Sequence, residues 1–437
     1  MTAPTLSVLL PNYNHADFLP KCLDEILGQS FTDFELIVVD DASTDDSVRV
    51  IEEYARRDDR IRFYRNPQNL GVVATLNRCL GLARGEFAHG AASDDYVLPG
   101  YFEEAVALLR AHPTAGLATG LVDCVSDDGR LVYRGPGMWA AEPAYLSPDE
   151  LVRRATECGV PGPAVWRRDL FLAAGGYKPE LKWHCDWFAL QVVAFRHGAC
   201  FIPRTTTVVR VTTDAYSAAG QRNSQTQRPV LQRMLAEFAD PAVADVRDRV
   251  GASGVLSQFG DELVRAVATL AEVPKQMLGP LRGRVLALAP VALADPEPAV
   301  RAGVARLLPR YGREAEHYRG ALAGLAAADP DPAVLAATAA GAAAFRRLIP
   351  LRVRLRRKVK ALLSRWARLA DRRSRPIHHE RLERIEGLLT QLVALNHQLV
   401  AVAAGLQATA DREVAARVEE RAAAAIRVAA LPRGRVA

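Results

Sequence analysis

Two pairs of adjacent carboxylates each follow a short apolar run: Asp40-Asp41 after FELIVV, and Asp94-Asp95, with Ser93 before them, after EFAHGAA. Like charges this close repel, so each pair requires either full solvation or a cation sharing the site. A solvated surface turn meets the first condition. Mg2+ or Mn2+ meets the second, because these hard ions take one or two protein carboxylates and complete their shell with phosphate oxygens. After Asp41 the run Ala42-Ser43-Thr44-Asp45 has the composition of a helix cap. Capping accounts for Ser43 and Asp45 and leaves Asp40 to accept hydrogen bonds from a base or ribose.

The elements that must position these acids are legible as apolar periods. LSVLL at 6–10 and FELIVV at 34–39 are β-rich runs of the kind buried on both faces of a parallel sheet. Between them Phe18, Cys22 and Ile26 recur at helical spacing over 17–29, which makes a β-α-β unit. Further helices are predicted over 46–56 and 72–83, with strands at IRFYRN and EFAHGAA. Strands alternating with helices imply an α/β fold whose ligands lie beyond the carboxyl ends of the strands. Both acid pairs fall at such ends.

The residues LSVLLPNYNHADFLPKCLDEILGQSFTDFELIVVDDASTDDS, NLGVVATLNRCLGLARGEF and ASDDYVLPGYFE occur in that order and closely resemble family 2 glycosyltransferases over about 5–215. The resemblance implies a GT-A nucleotide-diphospho-sugar transferase fold, Rossmann-like with a mostly parallel sheet. It implies that Pro11, Tyr13, Asn14 and Asp40 hold the donor nucleotide and that Asn69, Gly71 and Asn77 lie near it. Asp94 is then directed at the ribose or sugar, and Asp95 at a Mg2+ or Mn2+ ion that stabilises the departing diphosphate. An inverting transfer also requires a general base on the acceptor side. The family places an acid after a Gly-Gly-aromatic segment, here Gly175-Gly176-Tyr177 and then His184-Cys185-Asp186-Trp187. Cys185 replaces the usual Glu, so the base falls to Asp186. Trp183 and Trp187 flank it as candidate acceptor-stacking rings, core packing being the alternative for Trp187. VVRVTTDAYSAAG is similar to the family's closing strand; it keeps Arg210 but has no histidine.

Downstream of 220 the composition shifts to Ala, Leu, Val and Arg, and an all-α region is expected over 221–345 behind a glycosyltransferase domain over 1–220. ADPEPAVRAGVARLL from Ala294 and ADPDPAVLAATAAGA from Ala328 repeat at a spacing of 34, as in HEAT-like repeats; a plain helical linker is the other reading. Residues 346–375 hold thirteen Arg or Lys against one acid, Asp371, and so carry the basic character of a chain of net charge +6. Over 346–376 Leu355, Val359, Leu362, Leu363, Trp366 and Leu369 share a helical face, which suits an anionic membrane surface, a solvated helix being the alternative. Nucleic acid is not expected, since the α/β half has no base-reading module. Ile385, Leu388, Leu392, Leu395, Leu399, Val402 and Leu406 make a heptad seam within 377–430, a short coiled coil for self-association or one arm of a helical hairpin.

With no basic leader, no apolar run near the roughly 20 residues of a membrane span and no Cys-x-x-Cys pair, the chain is expected in the cytoplasm with its thiols reduced, peripheral at the inner face of the membrane. The expected function is metal-dependent inverting transfer of a sugar from a nucleotide-diphosphate donor to a saccharide or lipid-linked glycan, in cell-surface polysaccharide synthesis. A catalytically silent sugar-nucleotide-binding or scaffold protein is the competing class, and Cys185 is the residue that favours it. A nucleotidyltransferase is disfavoured, because the loop after the first strand reads PNYNHADF, without its glycine- and basic-rich phosphate loop.

Overall fold

Leu6, Val8, Leu9 and Leu10 have no exposed surface, and neither have Leu36, Ile37, Val38 and Val39, as two central parallel strands require. The computed structural model describes residues 3–155, 159–212 and 215–341. Its first part alternates β1 (Leu6–Asn12), α1 (Leu19–Leu27), β2 (Phe34–Asp40), α2 (Ser47–Ala55), β3 (Ile61–Arg65), α3 (Val72–Leu82) and β4 (Phe87–Gly90). There follow β5 (Tyr96–Val97), α4 (Tyr101–Ala111), β6 (Leu117–Val125), β7 (Leu131–Gly135), β8 (Ala144–Leu146), α5 (Pro148–Arg154), β9 (Val165–Arg167), α6 (Arg168–Ala173), α7 (Cys185–His197) and β10 (Ala199–Arg210).

The sheet order is β3-β2-β1-β4-β9-β6-β10-β5, with β7 on β6 and β8 on β10. Strands β3, β2, β1 and β4 are parallel, as are β6 and β10, while β9 lies antiparallel between β4 and β6. The chain moves from β1 outward to β3 and then returns to place β4 on the other side of β1. This makes the carboxyl ends of β1 and β4 a topological switch point, where an open α/β sheet leaves a crevice.

The opposite end of the sheet is closed by an ion cluster. Glu35 is 3% exposed; its carboxylate accepts from Ser7 Oγ at 2.7 Å, Arg84 N at 2.8 Å and Arg62 Nη1 at 2.6 Å. Burial alone would raise the Glu35 carboxyl, but the hydrogen bonds from Ser7, Arg84 and Arg62 outweigh it and hold it below the ordinary value. Glu35→Gln is expected to cost about 3 kcal/mol in denaturant unfolding, near the low end for a buried pair because Arg84 is half exposed. Because the folded-state carboxyl is depressed, that contribution is full above the unfolded-state pKa and is lost as the pH falls through the folded one. The parent should therefore approach the variant's stability in acid; a gap that persists there would assign the effect to shape rather than charge.

Beyond β10 the chain is helical: α8 (Tyr216–Arg222), α9 (Ser224–Ala239), α10 (Ala244–Ser253), α11 (Gly260–Ala268), α12 (Leu278–Leu293), α13 (Pro298–Leu307) and α14 (Arg319–Ala328). The segment read as a closing strand thus ends at Arg210, and Tyr216 begins a helix. The repeated Asp-Pro pairs do equivalent work: Asp295 accepts from Glu297 N and from Arg265 Nε, and Asp329 from Asp331 N and from Arg301 Nε. Each aspartate turns the chain into the following segment and receives an arginine from the second helix back, Arg265 of α11 across α12 and Arg301 of α13 across α14, forming a ladder that ties successive repeats.

One apolar cluster runs from Leu9 and Ile37 of the sheet through Trp187, Phe188 and Phe195 of α7 to Leu231, Phe238, Leu263 and Leu281 of the helices. The described residues accordingly fall within one compact unit. The basic helix expected over 346–376 and the heptad over 377–430 lie outside the described residues. Among the described residues no helix is long and apolar enough to cross a membrane, and the cysteines Cys22, Cys79, Cys185 and Cys200 are free thiols.

Candidate active site

At the switch point the loop after β1 meets the turn after β4. Pro11 is the penultimate residue of β1, opposite Val39, and Asn12 is opposite Asp40. Tyr13 is 43% exposed over the crevice mouth. Asn14 takes a left-handed φ of 54°, which asparagine tolerates, and its Oδ1 accepts from Thr44 N at 2.8 Å. His15 Nδ1 then lies 2.7 Å from Ser93 Oγ, so this imidazole joins the Tyr-Asn loop to the acid turn.

The two carboxylates at the end of β2 have separate tasks. Asp40 is fully buried and accepts from Asn12 Nδ2 and Ser43 N, both at 3.0 Å, with Arg65 Nε 3.5 Å away. Asp41, 2% exposed, accepts from Asn66 Nδ2 at 2.6 Å, Leu70 N at 2.9 Å and Gly71 N at 2.8 Å. It therefore pins the 66–71 loop against the sheet. Gly71 leads into α3 with φ 87°, a conformation that suits glycine, and Asn69 Oδ1 accepts from its N–H. Asn77 points the other way, donating to Tyr177 O at 2.7 Å and so tying α3 to the Gly-Gly-Tyr segment.

Of the second acid pair, Asp95 accepts the Arg210 N–H at 2.8 Å. Burial first, and then the charge of Asp94, push the Asp95 carboxyl well above the ordinary aspartate value. Beside it Arg210 lays its guanidinium over Phe18, 4.6 Å from the ring centre, and its buried Nε has no hydrogen-bond partner. Thr207 Oγ1 is likewise buried and unpaired, and lines a small cavity with Asp95, His89 and Cys22. The guanidinium's Nη1 is held by Asp127, so it is the repelling carboxylates and the orphaned Nε that leave a place where a cation and an anion together would complete the site. Among the described residues no group of three or more His, Cys, Asp or Glu could hold a metal ion. The donor set thus fits an ion that takes a carboxylate from Asp95 and its remaining oxygens from a bound diphosphate.

The third acid, Asp186, lies close enough to Tyr177 for its charge to add to burial in raising that phenol, and the Tyr177 hydroxyl approaches the end of β4. A Cβ on Gly90, at the end of β4, would stand 2.8 Å from the Tyr177 hydroxyl, and one on Gly162 would stand 2.9 Å from Asp186 Oδ2. Asp186 lies in the first turn of α7, where its Oδ1 accepts from Trp187 N at 2.7 Å. Burial raises its carboxyl above the ordinary value, partly opposed by hydrogen bonds from backbone N–H groups. Burial and the neighbouring Asp186 charge push the Cys185 thiol far up, so it is a neutral packing group. His184, pushed down to about 4 by burial, is neutral as well; Gln227 bridges it to Trp183, accepting from Trp183 Nε1 at 2.7 Å.

Trp187 is not where an acceptor ring belongs. It is 8% exposed and meets Phe259 and Phe238 edge-on at 5.1 and 6.3 Å, so its apolar surface is used in the cluster that joins sheet and helices. Trp183 stays half-buried at the rim. The sequence reading assigned no role to Asp41, His15 or Tyr177. Adjacency to Asp40 and to the Tyr-Asn loop was the signal for the first two; the third is placed by packing across the sheet.

The fold is an α/β fold of the GT-A type. Residues 7–172 match the family described as Glycosyl transferase family 2. An uncharacterised protein of Mycobacterium tuberculosis is 31% identical over 252 residues, covering 53% of this chain and 73% of that protein. The putative glycosyltransferase EpsE of Bacillus subtilis is 38% identical over 112 residues, 25% of this chain and 40% of EpsE. The chain therefore spans less than half of EpsE. Among solved structures, S. aureus TarS 1-349 in complex with UDP-GlcNAc is similar in fold, with a TM-score of 0.50 at 18% identity over 72% of this chain and 92% of that one. The chain belongs to glycosyltransferase family 2.

Proposed function

We propose that the protein moves a sugar, with inversion, from a nucleotide-diphosphate donor to a saccharide or lipid-linked glycan acceptor in cell-surface polysaccharide synthesis. The observation that supports this reading is that the Asp94-Asp95 turn, with the unpaired Arg210 Nε beside it, and a further buried acid, Asp186, each hold a carboxyl raised by burial. The loop carrying Pro11, Tyr13 and Asn14, the end of β2 at Asp40, and the Asn69–Gly71 turn frame the nucleotide, while Asn77 anchors α3 behind that turn through Tyr177 O. Asp94 faces the ribose or sugar, and Asp95 holds Mg2+ or Mn2+. When bound, that ion supplies Lewis-acid stabilisation of the departing diphosphate.

The remaining work falls to the protein's own side chains. The acceptor hydroxyl attacks the anomeric carbon and gives its proton to Asp186, while the bond from that carbon to the phosphate oxygen breaks and the diphosphate leaves with the electron pair. A base with a raised carboxyl pKa suits this role, because its proton affinity approaches what the transfer requires. A panel of nucleotide sugars screened by thermal unfolding with manganese tests the reading. One donor at a hundredfold excess over its Kd should stabilise the protein by about 2.7 kcal/mol, and only with the metal present. A panel without any stabilising member would count against donor binding.

A further inference from the structure

Helix α8 presents an arrangement that the donor site does not use. It has no buried residue of its own and is seated on Trp183: a Cβ on Gly220 would collide with the indole ring, so glycine permits the close approach. Trp183 is largely committed. Its ring lies against Gly220, its Nε1 donates to Gln227, and the Lys182 ammonium sits 5.7 Å from the ring centre. Tyr216, at the start of α8, meets Trp183 edge-to-face at 5.7 Å and 71° yet remains 52% exposed. Trp183 is three residues before Asp186, and His184 leads directly into the turn of α7 that carries it. An open aromatic ring thus stands against the tryptophan that precedes the proposed base by three residues.

We propose that Tyr216 is an acceptor-binding residue whose ring receives the apolar face of an incoming pyranose, with Trp183 and Gly220 fixing its position. The proposal rests on the assignment of Asp186 as base and names what stands on its acceptor side. A tyrosine suits this task, since it offers a rigid apolar face and a hydroxyl for the rim of the sugar at little conformational cost. Burial and the nearby Cys185 raise the Tyr216 phenol, consistent with a ring placed close to that turn.

Saturation-transfer NMR with a panel of methyl glycosides, in the presence of UDP or GDP and manganese, tests this without turnover. In the parent, at least one glycoside should receive saturation on its ring protons. Tyr216→Ala should weaken that glycoside roughly threefold to tenfold, the range of one aromatic contact, and Tyr216→Phe should retain most of it. Gly220→Ala should mimic Tyr216→Ala by lifting α8 from Trp183. Calorimetric affinity for the nucleoside diphosphate should be unchanged in all three. Equal glycoside binding by parent and Tyr216→Ala, or a parent with nucleotide bound but no glycoside signal, overturns the proposal. A parent that binds neither nucleoside diphosphate overturns it together with the donor-transfer reading from which it starts.

Discussion

Asp186→Asn is expected to lower transfer by roughly 10²–10⁴-fold, the usual worth of a positioned base, while donor affinity stays near the parental value. The base acts on the acceptor hydroxyl, across the anomeric carbon from the diphosphate, so it contributes to the transition state and little to donor binding. The pH profile supplies a second reading. Transfer requires the carboxylate, and burial raises its pKa, so the acid limb of the rate should lie above that of an ordinary aspartate and vanish in the variant. Cys185→Ser should change the rate far less, since the thiol is neutral and no proton is asked of it. Near-parental turnover in Asp186→Asn with a loss in Cys185→Ser would move the base to another residue.

Asp95→Asn should weaken manganese-dependent binding of UDP or GDP by on the order of a hundredfold or more, as removal of one member of a desolvated charge pair does. The same change should leave the metal-free protein at least as stable as the parent at neutral pH. The Asp95 carboxyl is raised in the fold, so its ionisation opposes folding, and an amide of the same shape removes the repulsion from Asp94. Calorimetry paired with thermal unfolding separates the two effects. A variant that binds as tightly as the parent refutes the metal assignment, and one that melts early attributes the loss to folding.

The parallel half of the sheet is legible because its central strands, β1 and β2, are largely apolar runs ending in a polar turn, a local signal. Asp40, Asp94 and Asp95 are legible for the same reason. What escapes is non-local. Nothing in VWR at 165–167 announces that β9 inserts antiparallel between β4 and β6, since that position is decided by pairing partners far along the chain. Trp187 reads equally well as a sugar platform or a core residue, and only Phe238 and Phe259, 51 and 72 positions downstream by subtraction of their numbers, decide for the core. Tyr216 sits in a segment whose β-rich start suggests a strand continuing past Arg210, yet the small residues Ser217, Ala218, Ala219 and Gly220 favour a helix pressed onto Trp183. In the helical half the Asp-Pro starts are visible, but the arginines that reach them come from two helices back, 30 and 28 positions earlier in the chain.

The apolar cluster through Trp187 bears on which parts of this enzyme can be exchanged. Every residue that frames the proposed nucleotide site hangs from strands completed within the first two hundred residues. The turn holding Asp186, by contrast, is braced from behind by Gln227, Phe238 and Phe259. A chimera that keeps the sheet and takes its helices from a relative would keep its donor and lose the alignment of its base, unless the aromatic seat of α7 were transplanted too. On the proposed assignment, donor recognition would be portable between chains of this build, whereas activation of the acceptor would belong to the particular partnership of sheet and helices.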